Sequence, residues 1–110
     1  MAQGESKRSR QIMRHLEITY PGLFCFKVHG SALMMVGLPD IIGCVEGYFF
    51  AFETKLDTTP KKRQLWVQSL IRRAGGLSEI VHTKQEAAGH IERLLREKRA
   101  GTPSTVGEGD

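Results

Sequence analysis

Residues 40–55 read DIIGCVEGYFFAFETK, two apolar runs at about 40–45 and 48–54 on either side of Glu46-Gly47. Two residues is the length of a tight hairpin turn, and a terminal glycine suits it although Asn-Gly is the favoured pair. This segment constrains the chain more than any other. Side chains alternate faces along a strand, so a hairpin with a defined loop has a defined register. Counting outward from Glu46-Gly47 pairs Val45 with Tyr48, Cys44 with Phe49, Ile42 with Ala51 and Asp40 with Glu53. One face then carries Asp40, Ile42, Cys44, Phe49, Ala51 and Glu53, and the other carries Ile41, Gly43 and Val45. Opposed residues have Cβ atoms about 4.5–5.5 Å apart, where like charges destabilise the sheet unless something neutralises them. Lys55, two residues beyond Glu53, projects from the same face.

The flanking periodicities supply the other elements. Ile12, Leu16 and Thr19 or Tyr20 predict a helix over about 5–19, stopped by Pro21-Gly22. LFCFKVH at 23–29 alternates as a strand, and the irregular GSALMMVGLP follows. Thr59 as cap and Pro60 at the first position predict a second helix with the stripe Val67, Leu70, Ile71 and Ala74, ended by Gly75-Gly76. LSEIVH reads as a fourth strand. Thr83 and Glu86 form a capping box for a third helix bearing Ala87, Ile91, Leu94, Leu95 and Lys98 on one side. The order is αβββαβα. A chain of 110 residues has room for one core, so residues 1–99 are expected to form one domain, with the small and polar 100–110 as a disordered tail.

With 40% hydrophobic and 25% charged residues the chain is too apolar to be disordered. No window approaches the roughly 18 apolar residues of a membrane span, and the start MAQGESKRSRQ lacks the apolar stretch of a signal peptide. No membrane association and a cytoplasmic location are expected. Cys25 and Cys44 are too few for a disulfide scaffold and read as small packing residues; a zinc site with His15 and His29 lacks paired ligand spacing. Trp66 reads as a packing or interface residue, and His82 and His90 have no Ser or Cys partner at a hydrolase spacing. The formal charge is +4, concentrated in two blocks. Residues 55–73 hold Lys55, Lys61, Lys62, Arg63, Arg72 and Arg73 against Asp57, and residues 7–14 hold Lys7, Arg8, Arg10 and Arg14 with no acid. Such blocks are either solvated helix faces or a nucleic-acid surface.

Two carboxylates and an ammonium at the open end of an apolar hairpin suit Mg²⁺, which commonly takes one or two carboxylates and keeps several waters. On spacing alone, a salt-bridge cluster of Asp40, Glu53 and Lys55 is an equal alternative. GLPDIIG, then FAFETK, then Gln64 in the following helix resemble the signature of the PD-(D/E)XK restriction-endonuclease-like superfamily. Within it the chain resembles the VRR-NUC (virus-type replication-repair nuclease) group, of the standalone phage or bacterial type. Glu5, the KVHG run at 27–30, Gly37 and Pro39 before Asp40, the ETK triplet, Gln64, Gly75-Gly76 and the apolar strand after it carry the resemblance, from residue 5 to about 95.

That resemblance implies an α/β fold with a restriction-endonuclease-like core, αβββαβ plus a C-terminal helix, around a central mixed sheet flanked by helices. It implies a Mg²⁺- or Mn²⁺-dependent DNA endonuclease. Asp40, Glu53, the backbone carbonyl of Thr54 and Glu5 would bind metal, Lys55 would position or activate the attacking water, and Gln64 would orient active-site groups. Thr54 stands where an aliphatic residue is usual, with little consequence expected if only its carbonyl faces metal. Lys7, Arg8, Arg10, Lys27, His29, Lys61, Lys62 and Arg63 are the candidate DNA contacts. A homodimer acting on branched DNA such as four-way junctions is implied; Leu33, Met34, Met35 and Val36 in a row read equally as an apolar patch for self-association or as residues packed into the monomer's own core. The rival reading is a non-catalytic DNA-binding protein on the same fold, which would keep the basic surface without needing Asp40, Glu53 and Lys55 together.

Overall fold

The computed structural model describes residues 2–30, 33–54 and 59–107, with side chains described over 7–30, 33–54 and 59–101. In chain order these form α1 (Ala2–Thr19), β1 (Phe24–Lys27), β2 (Ile41–Val45), β3 (Tyr48–Thr54), α2 (Lys62–Arg73), β4 (Leu77–Val81) and α3 (Lys84–Gly107). The four strands make one mixed sheet in the order β1-β2-β3-β4. The first two pairings are antiparallel, whereas β4 runs parallel to β3. A parallel return needs a crossover, and α2 provides it.

The hairpin register is the one obtained by counting: Val45 opposes Tyr48, Cys44 opposes Phe49 and Ile42 opposes Ala51. Its turn has positive φ at both central residues, 53° at Glu46 and 85° at Gly47, the mirror-image type I turn whose twist matches the strands it joins. Glycine suits the second position at no cost, while Glu46 tolerates the first and pairs its carboxylate with Arg99 of α3.

Ile41, Val45, Phe50 and Phe52 point to one face, where they pack with Ile12 and Leu16 of α1 and Ala87, Ile91, Leu94 and Leu95 of α3. Each such burial of an Ile, Leu, Val or Phe is worth about 1.5–3 kcal/mol. Cys25 joins this cluster. Burial first, and then the Glu17 carboxylate beside it, push its thiol up to about 12, so it stays protonated. The other face is half covered. Helix α2 buries Val67 and Gln68 and packs on β4, ending in a Schellman motif in which Gly75 (φ 96°) donates to Arg72 O at 3.0 Å and Gly76 to Ile71 O at 2.9 Å. Phe24, Phe26, Cys44 and Phe49 on that face stay exposed, Phe24 by 63%. No helix among the described residues is long and apolar enough to cross a membrane.

Several boundaries differ from expectation. Helix α2 starts at Lys62, with Thr59 and Pro60 outside it, because the Gln64 side chain turns back to accept from Lys61 N at 2.9 Å and so defines the first turn. Strand β1 stops at Lys27, which leaves His29 in the irregular segment that follows. Cys44 is exposed, not packed, because its face of β2 has no helix over it. At α3, Glu86 N donates to Thr83 Oγ1 at 3.0 Å as a capping box requires, but the Glu86 carboxylate takes His82 N instead of Thr83 N. The α3 backbone is helical to Gly107. Each residue added to an existing helix gains a hydrogen bond, so composition too poor to nucleate one can extend it.

Gly43 sits where β2 is most crowded. A Cβ there would meet Phe50 Cζ at 2.4 Å, Phe24 O at 2.5 Å and Cys25 Cβ at 2.8 Å. Gly43→Ala should therefore destabilise the protein by about 1–3 kcal/mol through overpacking, read as a lower urea midpoint at unchanged m-value. A midpoint equal to wild type would show that the strand has slack there.

Candidate active site

Both carboxylates lie where β2 begins and β3 ends. Asp40 precedes β2, so strand alternation does not orient its side chain. Its carbonyl accepts from Val28 N at 2.7 Å, extending the β1–β2 ladder by one step. Its carboxylate turns to the end of β3, where Oδ2 accepts from Thr54 N at 3.0 Å and from Thr54 Oγ1 at 2.7 Å. The approach of this loop to the second helix depends on Gly37. With φ of 91° and a Cβ position that would lie 2.7 Å from Arg63 Cγ and 2.9 Å from Arg63 O, only glycine fits. Pro39, fully buried, then leads directly into Asp40.

Glu53 lies on the opposite face of β3 from Thr54 and is 4% exposed. Its Oε2 accepts from Gln64 Nε2 at 3.0 Å, while Gln64 Oε1 accepts from Lys61 N. These two partners determine the amide's orientation, because the reversed amide would set donor against donor and acceptor against acceptor. Lys61, Lys62 and Arg63 are exposed around this helix start, and its first turn contains no acid. Cations there oppose the helix dipole, whose N-terminal end favours negative charge.

Extending the register by one step sets Asp40 across from Glu53, as counted, but the shared face is corrected. The Asp40 carboxylate bonds to Thr54, whose side chain belongs to the α1 face, while Glu53 reaches α2. The carboxylates approach the strand end from its two sides. Thr54 also does more than present a carbonyl: its side chain is 1% exposed, and its Oγ1 lies 3.1 Å from Oγ of the fully buried Ser9 on α1. The signal in the sequence was available. Ser9 falls on the Ile12–Leu16 stripe of the first helix, and a hydroxyl among core positions needs a partner.

Among the remaining candidates, Lys55 lies outside the described residues. Glu5 falls within α1, one turn before Ser9, and its side chain lies outside them too. Lys7 and Arg10 are exposed and line a groove of about 540 Å³ with Arg14, beside Phe26 of β1. Arg8 is committed elsewhere, donating to the His82 carbonyl and tying α1 to the end of β4. Lys27 is half-buried opposite Ile41, and His29 is exposed. Because β1 ends between them, the two do not share a strand face. Arg63 stacks over Trp66, its guanidinium carbon 5.1 Å from the ring centre.

Hard oxygen donors of this kind fit Mg²⁺, whose small, tightly hydrated ion takes one or two carboxylates and completes its shell with water. Among the described residues no group of three or more His, Cys, Asp or Glu gathers. A cleft of about 320 Å³, lined by Val28, Met34, Met35, Val36, Pro39 and Asp40, opens beside the carboxylate.

No protein-family model and no curated protein matches the chain. Among solved structures, a VRR_NUC domain is similar with a TM-score of 0.59 and 21% identity, over 78% of this chain and 95% of that one. Archaeoglobus fulgidus Hjc, a Holliday junction resolvase from an archaeal hyperthermophile, is similar with a TM-score of 0.56 and 16% identity, over 71% of this chain and 67% of that one. The four-stranded mixed sheet with α1 and α3 on one face and α2 on the other is thus the restriction-endonuclease-like fold that these two nuclease-type structures share with this chain.

Proposed function

We propose that the protein is a divalent-metal-dependent endonuclease that hydrolyses phosphodiester bonds in DNA, with branched DNA such as four-way junctions as its substrate. The observation that carries this reading is the convergence of Asp40 and Glu53 on one strand end, each carboxylate held by a different neighbour, beside a helix start whose cations oppose its own dipole. A phosphate backbone resolves that last conflict, since it satisfies both the lysines and the dipole. The fold shared with a VRR_NUC domain and with a resolvase supports the same reading. The rival, a non-catalytic DNA-binding protein, accounts for the basic surface but gives no reason to hold two carboxylates beside it.

In this reading Asp40, Glu53 and the Thr54 carbonyl hold Mg²⁺ or Mn²⁺, with Glu5 completing the set. The bound ion supplies Lewis-acid charge at the scissile phosphate and lowers the pKa of a water. Gln64 keeps Glu53 aimed by donating to Oε2, so that the other oxygen is directed by the same constraint. Lys55 positions the attacking water. Lys61, Lys62 and Arg63 take the phosphates nearest the site, and Lys7, Arg10, Lys27 and His29 extend the track along α1 and past β1. Arg8, already bonded to His82, contributes by rigidity more than by contact.

Paired cuts in two strands need two sites in fixed relation, which a symmetric dimer supplies. We therefore propose a homodimer. Its supports are the exposed Leu33 (98%), Met34, Met35 and Val36 and the bare sheet face carrying Phe24 and Phe26 of β1 and Phe49 of β3. No charged residue stands among those positions, which suits a second copy of the chain and not a polyanion.

Asp40→Asn and Glu53→Gln should each lower cleavage of plasmid or junction DNA by more than about 100-fold, beyond the 10–100-fold typical of losing an outer-shell partner, while DNA affinity in a gel-shift assay stays at wild type. Wild-type turnover in either variant would remove the metal-site assignment. Replacing Lys61, Lys62 and Arg63 together with alanine should flatten the salt dependence of DNA affinity, each lost phosphate contact lowering the log–log slope by about 0.9. An unchanged slope would send the DNA path elsewhere. Light scattering at micromolar concentration should give the mass of two chains, with junctions cut faster than linear duplex; a monomer that nicks both equally would reject the resolvase form of the proposal.

A further inference from the structure

The two hydroxyls buried beneath Asp40 form a directed chain. Thr54 Oγ1 donates to Asp40 Oδ2 at 2.7 Å, so the threonine proton is spent on Asp40. In its 3.1 Å contact with Ser9, Thr54 Oγ1 must then be the acceptor and Ser9 the donor. Proton direction runs from Ser9 to Thr54 to Asp40. With Ser9 fully buried and Thr54 only 1% exposed, water does not substitute for a missing partner at either hydroxyl.

The effect on Asp40 follows from counting lone pairs. Oδ2 receives both the Thr54 amide and the Thr54 hydroxyl, one bond in the plane of the sheet and one from the α1 side. Both lone pairs of that oxygen are occupied, and the carboxylate loses its freedom to rotate about χ2. Oδ1 is the oxygen that receives neither of these bonds. A carboxylate held at two points by one residue presents a single preoriented oxygen, so less conformational entropy is lost when a cation binds.

We propose that Ser9 and Thr54 are positioning residues that lock Asp40 through Oδ2 so that it offers a metal ion Oδ1 alone. The proposal rests on Asp40 being a metal ligand, and gives Thr54 a task for its side chain in addition to its carbonyl. It also assigns α1 a share in the site through Ser9, since that helix supports a strand end 45 residues away in the chain.

The test is titration calorimetry with Mn²⁺ on the full chain without DNA, comparing wild type, Thr54→Val, Thr54→Ser and Ser9→Ala. Valine keeps the threonine shape without the hydroxyl, and should weaken Mn²⁺ binding about 10-fold or more, the usual consequence of losing an outer-shell partner, with a parallel rise in the Mn²⁺ concentration for half-maximal cleavage. Thr54→Ser, which retains the hydroxyl, should stay within about threefold of wild type by the same scale. Ser9→Ala should fall between them, and it carries the comparison if the valine variant does not fold. Wild-type Mn²⁺ affinity in a folded Thr54→Val, or in Ser9→Ala where Thr54→Val does not fold, overturns the proposal. Failure of the wild-type chain itself to bind Mn²⁺ would instead remove the nuclease reading on which it stands.

Discussion

The parity of β3 is the constraint on which the rest depends. Phe50, Phe52 and Thr54 share one face, and Phe49, Ala51 and Glu53 share the other. A slip of one residue would drive Glu53 into the cluster of Ile12, Leu16 and Ile91 and turn two phenylalanines outward, so the aromatic pair and the acid enforce the same register from opposite sides. The Glu46-Gly47 turn and the missing Cβ at Gly43, whose place the edge of the Phe50 ring occupies, make that register attainable locally. Once it is set, a carboxylate is delivered to the strand end, on the side facing α2.

Asp40 reaches the same place by a different route. No strand geometry aims it; a loop does, closed against α2 at Gly37 and anchored in the interior by Pro39. The α2 start therefore has two attachments, one to the Asp40 loop through Arg63 and one to Glu53 through Gln64. A single rigid element thus sets the relation between the two acids, while α1 fixes the rotation of one of them. The basic residues at that helix start are there in spite of the dipole, an arrangement that costs stability in the free protein and favours binding an anion.

Much of the site is legible in the amino-acid sequence. Asp40, Glu53 and Gln64 lie in or beside segments with strong periodicity, and their separation along the chain translates directly into separation along strands and a helix turn. The Ser9–Thr54 contact is not legible in that way, because it joins a helix and a strand whose approach is set by the packing of Ile12, Leu16 and Phe52 and not by any spacing. The same holds for Arg8, whose commitment to the His82 carbonyl cannot be inferred from a run of basic residues. Thr59-Pro60 misleads for a local reason: a residue inside the helix, Gln64, caps it in place of one preceding it.

The sequence by itself determined the element order, the hairpin register and the buried stripes of the first and third helices, since these follow from periods of two and 3.6 residues and from where turns are chemically allowed, whereas in α2 the buried pair is Val67 and Gln68 and Ala74 is exposed. It did not determine which way the Asp40 carboxylate turns, which half of the sheet stays bare or which cations remain exposed to meet a ligand. Those outcomes were decided by the tertiary structure, because each depends on how far apart two independently specified elements come to rest. That distance is set by side-chain volumes summed over the whole core, and by the absence of a single Cβ at Gly37, where the loop meets the helix.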